Sequence, residues 1–216
     1  MPQRSPALLS PRKSPVQARS TASVDAILDA TIQVLLNVGK ERLTTTRVAL
    51  RAGVSVGTLY QYFPNKSALL QAVLRRHLAA VVQAVEDVCT QQKGQTLRQM
   101  ATALITAFLA VKMKDSRTST ALYSVSSDVD GARIAKDMSV RSNKAIVRML
   151  ESASEPLATD PQLVASTLQA AMFGVSRTLL ESSSPEKRLE PARAELIRMA
   201  CAYLESSTAG HSESRV

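Results

Sequence analysis

Between residues 44 and 66 the chain gathers hydroxyls, phenols, an amide and cations at a spacing suited to phosphodiester contact. Thr45, Thr46 and Arg47 open one short apolar-periodic segment, Ser55 opens the next, and Lys66 follows the turn after it. Nucleic-acid phosphates are held by hydroxyl and backbone donors at helix starts with cations beside them, and this segment supplies both. Tyr60 and Tyr62 add donors that can bond a phosphate or stack on sugars and thymine methyl groups. Gly57 leaves the second segment's start without a side chain, so a backbone or base edge can come close. Gln61 carries the paired donor and acceptor that reads adenine in the major groove. Leu50, Val54, Leu59 and Phe63 have the spacing of core residues, and Tyr60 suits either a core edge or a DNA contact.

Short, well-capped helices are needed to present such side chains. The threonines at 44–46 and Gly53 bracket a helix over 45–52, and Ser55 and Pro64 bracket one over 55–63. Two helices of that length across a turn containing glycine make a helix-turn-helix. Upstream, Val24, Ile27, Leu28, Thr31, Val34, Leu35 and Val38 form the stripe of an amphipathic helix that starts near Ser23 and stops at Gly39. Downstream, Asn65 caps a helix running to about residue 92, long enough to join two domains, with Leu69, Val73, His77 and Val81 on one side. Helical spacing predicts five more helices, at 97–113, 120–127, 132–152, 161–180 and 186–204. Only seven glycines, four tyrosines, three phenylalanines and no tryptophan agree with an all-α fold, since strand-rich domains lean on aromatics and Gly-rich turns.

The run TTTRVALRAGVSVGTLYQYFPNKSALL, residues 44–70, resembles the DNA-binding signature of the TetR-type (TetR/AcrR) transcriptional regulators. The likeness rests on the threonines, the pattern A-x-x-A-G-V-S-x-G-T-L-Y-x-Y-F and the lysine that follows, and with the preceding helix it covers about residues 20–76. It implies a sequence-specific repressor that responds to a ligand and acts as a homodimer on a palindromic operator. It assigns Thr45, Ser55, Gly57, Tyr60, Tyr62 and Lys66 to DNA contact, and Val56, Thr58 and Gln61 to positions where readout varies between members. The implied layout is a disordered basic arm at 1–19, a three-helix DNA-binding domain at 20–76, a helical effector-binding and dimerisation domain at 77–206, and a disordered tail at 207–216. About nine helices are expected in all. One departure matters: residues 55–63 hold no Lys or Arg, so a bidentate guanine contact is not available there. Arg12, Lys13 or Arg19 in an adjacent minor groove could compensate.

Charge points the same way. Of 27 basic and 18 acidic residues, eleven and three fall within residues 1–76, a net of +8 there against +1 in the rest. Such asymmetry marks a polyanion-binding module joined to a near-neutral domain. In that second domain the resemblance implies that the last two long helices pair with their symmetry mates, and Ala165, Leu168, Ala171, Met172, Val175, Leu179, Leu196 and Ala200 suit that packing. The alternative is that these faces cover the protomer's own core. An effector is expected between the helices. Met100, Met138, Met149 and Met172 with Phe108, Tyr123 and Phe173 suggest a pocket for an apolar or amphipathic compound, although each methionine taken singly reads first as plain core.

An enzyme finds little support. There is no Gly-rich phosphate loop, no G-x-S-x-G elbow and no metal-spaced histidine pair, since His77 and His211 stand alone; no cofactor and no metal are expected. Cys89 and Cys201 lie far apart and fit a reducing, cytoplasmic setting as small apolar residues, with a redox role left open. No apolar run of membrane-spanning length and no signal-peptide core is read. A helical adaptor without DNA binding is the third class.

Overall fold

A computed structural model describes residues 15–126 and 130–208, and every regular element among them is an α-helix. The chain divides into two compact units, Met1–Leu69 and Leu70–Val216. The division falls inside a helix and upstream of the expected boundary after residue 76.

The first unit holds α1 (Pro15–Arg42), α2 (Thr45–Ala52), α3 (Val56–Tyr62) and the start of α4 (Lys66–Gln91). The apolar stripe read from the sequence is the buried face of α1, with Ile27, Leu28, Ala30, Val34 and Leu35 in the core. Thr31 joins them because its hydroxyl donates to the Ile27 carbonyl at 2.7 Å, which satisfies the polar atom inside the helix. At Gly39 the backbone leaves helical geometry (φ 75°, ψ 169°), so the expected stop is a break, followed by helix up to Arg42. Local caps set α2 and α3. The Thr44 hydroxyl accepts from the Arg47 N–H, and Gly53 closes α2 in the left-handed region (φ 68°, ψ 28°). The Ser55 hydroxyl accepts from the Thr58 N–H at 2.9 Å, and the Asn65 side chain accepts from the Ala68 N–H at 2.8 Å.

Two core expectations need correcting here. Leu50 is 83% exposed and Val54 only half-buried, whereas Leu59 and Phe63 are buried as expected. Helix α2 turns Val48 and Ala49 inward, and one further step of about 100° carries Leu50 onto the open side. The expected basic arm is also shortened, because α1 begins at Pro15 and includes Arg19. Arg12, Lys13 and the rest of residues 1–14 lie outside the described residues.

The second unit contains the remainder of α4 with α5 (Leu97–Met113), α6 (Ser116–Ser126), α7 (Gly131–Leu150), α8 (Pro161–Glu181) and α9 (Pro185–Ser206). Thr96 and Gln99 form a reciprocal capping box that starts α5 where its apolar periodicity begins. Helix α5 is the central element and buries Leu97, Met100, Leu104, Ile105, Phe108 and Leu109 against α6, α7, α8 and α9. Arg141 grips Glu86 with two bonds of 2.7 and 2.6 Å, tying α7 to α4. Ser207 and Thr208, expected in a disordered tail, are held: Ala158 donates to the Ser207 carbonyl at 2.8 Å, and Leu157 and Thr208 form an isolated bridge. Residues 209–216, including His211, lie outside the described residues.

The expectation about membrane-length runs also changes. Ser20–Arg42, Lys66–Gln91 and Pro161–Glu181 are long and apolar enough to cross a membrane by length and composition, with mean hydropathy of 1.2 in each. Alanine, valine and leucine raise that average, yet they are arranged as stripes; α8, for example, buries Val164, Ala165, Leu168 and Met172 in the unit's core.

Candidate nucleic-acid interface and effector cavity

Most of the expected DNA-facing residues on α2, α3 and the turn between them are exposed. Thr46, Arg47, Ser55, Gly57 and Gln61 are exposed, Val56 is 37% exposed, and Thr45, Thr58 and Tyr62 are half-buried. Tyr60 is 47% exposed, on the outer side of α3, and its hydroxyl bonds the Thr45 hydroxyl at 3.1 Å across the two helices. That contact ties the start of α2 to α3 and leaves Leu59 as the residue α3 buries. The Ser55 and Thr58 hydroxyls pair at 2.8 Å, which fixes both rotamers at the start of α3. Arg47 donates to the Arg42 carbonyl at 3.2 Å and so leans along the surface rather than standing free.

Gly57 has no structural reason to be glycine. Its backbone is helical, and an added Cβ would meet only the Ser55 hydroxyl at an ordinary 3.7 Å. What the missing side chain provides is open space on the exposed side. Lys66 has a role that its sequence position does not reveal: its ammonium donates to the Lys40 carbonyl at 2.7 Å and joins the start of α4 to the end of α1. Sequence reasoning also missed Gln33, whose side chain accepts from Arg51 at 2.5 Å and braces α2 on α1.

In the second unit a cavity of about 360 Å³ opens between α4, α5, α6, α7 and α8. Of the residues expected around an effector, Phe108, Tyr123, Met138, Met172 and Phe173 line it. Phe108 and Phe173 meet edge to face, with centroids 5.5 Å apart, and Arg177 lies over the Tyr123 ring. Met100 and Met149 do not line it. Both are fully buried in the main core, where their flexible chains fill space between packed helices. The polar side chains at the wall, Lys112, Lys136, Ser139, Ser142, Gln169 and Ser176, carry no signal in the spacing that pointed to the apolar ones.

The residues expected to pair on α8 and α9 divide between the protomer core and a groove between the helices. Ala165, Leu168, Met172, Leu179, Leu196 and Ala200 are buried within the protomer, and Ala171 and Val175 are partly buried. Ala165, Leu168, Met172 and Ala200 belong to the inner stripes of the two helices, whereas Ala171, Val175, Leu179 and Leu196 also line a groove between the helices, together with Gly174 and Ala192. Leu163 on α8 and Met199 on α9 are both at least half exposed. Gly174 has nothing within 4 Å of where a Cβ would stand.

Both cysteines are buried, and burial, with Glu86 next, pushes the Cys89 thiol up to about 12, so at neutral pH it holds its proton. Among the described residues no group of three or more His, Cys, Asp or Glu could hold a metal.

Comparison with known proteins places both units. Residues 27–73 match the family described as bacterial regulatory proteins, tetR family, and residues 96–204 match the tetracyclin repressor-like C-terminal domain. Over 55 residues the chain is 46% identical to the HTH-type transcriptional repressor KstR of Mycolicibacterium smegmatis, a stretch covering 26% of this chain and 27% of KstR. Over 49 residues it is 41% identical to the transcriptional regulator BetI of Escherichia coli, covering 23% and 25% of the two chains. The matched stretch thus spans about a quarter of the length of these curated relatives. Among solved structures, SmeT, the repressor of the Stenotrophomonas maltophilia multidrug efflux pump SmeDEF, shares the fold with a TM-score of 0.65 at 22% identity, over 85% of this chain and 91% of SmeT. A TetR-family regulator from Streptomyces coelicolor does so with a TM-score of 0.58 at 24% identity, over 84% and 99%.

Proposed function

The chain belongs to the TetR family of bacterial regulatory proteins, DNA-binding transcriptional regulators rather than enzymes, and on that premise we propose that it is a ligand-responsive repressor acting in the cytoplasm as a homodimer on a palindromic operator. The observation that carries the reading is the exposed surface made by Thr46, Ser55, Gly57 and Gln61 across the turn between α2 and α3. A single helix-turn-helix reads few base pairs, so two copies on paired half-sites supply the remaining specificity. The outward groove of α8 and α9, with Leu163 and Met199 beside it, supports pairing between copies.

With no Lys or Arg in α3, readout rests on Gln61, on methyl contacts from Val56 and Thr58, and on DNA shape. An effector in the α4–α8 cavity would release the operator only if it bound the DNA-incompetent state more tightly, because a ligand shifts an equilibrium by its differential affinity.

The test is selection of bound duplexes from a random pool at about 150 mM salt, where purely electrostatic binding is weak. An enriched palindrome is expected, with preference relaxed at one position per half-site in Gln61→Ala. No enriched sequence would overturn the repressor reading, and an enriched site without two-fold symmetry would overturn the dimer.

A further inference from the structure

Lys112 stands out in the α4–α8 cavity as a buried cation without a counter-charge. It is 7% exposed, near the end of α5, and it lines both the 360 Å³ cavity and an adjoining one of about 230 Å³. No carboxylate among the described residues lies within ion-pair distance of its ammonium, and its one bond in this region is made by its backbone carbonyl, which accepts from Ser119 at 3.0 Å. A buried ammonium left in this way is costly, and burial alone holds its pKa below the ordinary lysine value.

The serines and the glutamine on the wall already have partners. Gln169 donates to Ser142 at 2.7 Å and to the Ser139 carbonyl at 3.2 Å, and it accepts from the Ser139 hydroxyl at 3.1 Å. Ser176 donates to the Phe173 carbonyl at 2.9 Å. Those bonds leave the Lys112 ammonium as the buried group with donors to offer a guest, with Lys136 and the Tyr123 hydroxyl on more exposed parts of the wall. The remaining wall is apolar, with Val81, Phe108, Met138, Ile146 and Met172 among its residues. The charged lining residues are Lys112 and, on an exposed turn of α7, Lys136; no aspartate or glutamate lines the cavity.

We propose that this cavity takes an anionic amphipath, a carboxylate on an apolar chain, with the carboxylate against Lys112 and the chain along Phe108, Met138 and Met172. The proposal rests on reading the cavity as the effector site. The single buried cation matches one negative charge, the absence of acids removes any repulsion of it, and the methionines adapt to a flexible chain. At about 30 Å³ per small group, 360 Å³ accommodates roughly a dozen non-hydrogen atoms, the size of decanoate.

Calorimetry on the full chain with decanoate, 1-decanol and decyltrimethylammonium, each below its micelle concentration, tests this. Decanoate is expected to bind about tenfold or more tighter than either counterpart, as a charge-assisted bond to a buried group implies. In Lys112→Met, which keeps the length and removes the charge, that advantage should vanish while decanol binding holds or improves. Equal or better binding of decanol or the cation to the wild-type chain overturns the anionic assignment and leaves the cavity as an effector site. Survival of the decanoate preference in a folded Lys112→Met moves the head group elsewhere and overturns it as well. Failure of all three probes to bind overturns the effector reading together with the proposal. The wild-type comparison stands even if the variant does not fold.

Discussion

The first unit carries its chemistry on the outside, on helices of eight and seven residues set by caps, whereas the second encloses a cavity between five helices, four of them 17 residues or longer. In the first, the residues proposed to meet DNA lie within about twenty positions of one another. In the second, Leu78, Phe108, Met138 and Met172 reach one space from sites some thirty residues apart. A rigid duplex can be met by a short, locally specified surface, while a small guest has to be surrounded. The contrast teaches that the two functions of such a chain place different demands on sequence, local for the interface and global for the cavity.

The largest effect should come from Leu59→Ala, which empties the position where α3 enters the first core and costs about 2–5 kcal/mol. Calorimetric melting should show the first unit's transition lowered and operator binding lost, with the second unit's transition unmoved. An equal drop in both transitions would mean that the two regions do not fold separately.

Next is a pH effect confined to the second unit. Burial first, then Lys112, holds His77 down to about 4 from its ordinary 6.5, against an opposing pull from Asp115. The unfolded chain binds a proton at His77 as pH falls below about 6.5 while the folded one does not until about 4, so stability is full above that window and is lost on descending through it. The loss is on the order of 3 kcal/mol. Denaturant titrations of the second unit at several pH values should show this slope, and His77→Gln should flatten it; a slope unchanged in the variant would assign it to other groups.

Smaller again is Gly57→Ala. With room for the methyl group and glycine's low helix propensity, the fold should be unchanged or gain up to about 1 kcal/mol, while operator affinity falls about tenfold. Affinity equal to wild type would remove Gly57 from the interface. The smallest effect is expected for Leu50→Gln, within about 0.5 kcal/mol of wild type by chemical denaturation, because the side chain is 83% exposed. A loss of several kcal/mol would put Leu50 back among the core residues.

Legibility in the sequence followed the same division. Thr44, Gly53, Ser55 and Asn65 are cap and turn residues whose effect is exerted within four positions, and the structure uses each of them as its type suggests. The start of α5 at Leu97 was placed by apolar spacing alone, and the Thr96 and Gln99 pair that caps it emerged with the structure. Leu50 was misplaced because a helix of eight residues gives too few turns for periodicity to fix which apolar residue faces inward. On α8 the ambiguity is of another kind: Leu168, Met172 and Leu179 form a true apolar stripe, but a stripe does not say whether its partner is the same chain or a second copy.

The helices, their caps and the helix-turn-helix with its hydroxyls and amide were legible in the residues alone, because each depends on neighbours within a turn or two. That Lys66 holds the Lys40 carbonyl, that Met100 and Met149 are core, and that Lys112 sits without a counter-charge beside a cavity emerges from the packing of the folded chain. Those facts depend on which distant helices meet, and a side chain's burial and partners are properties of that meeting rather than of the residue.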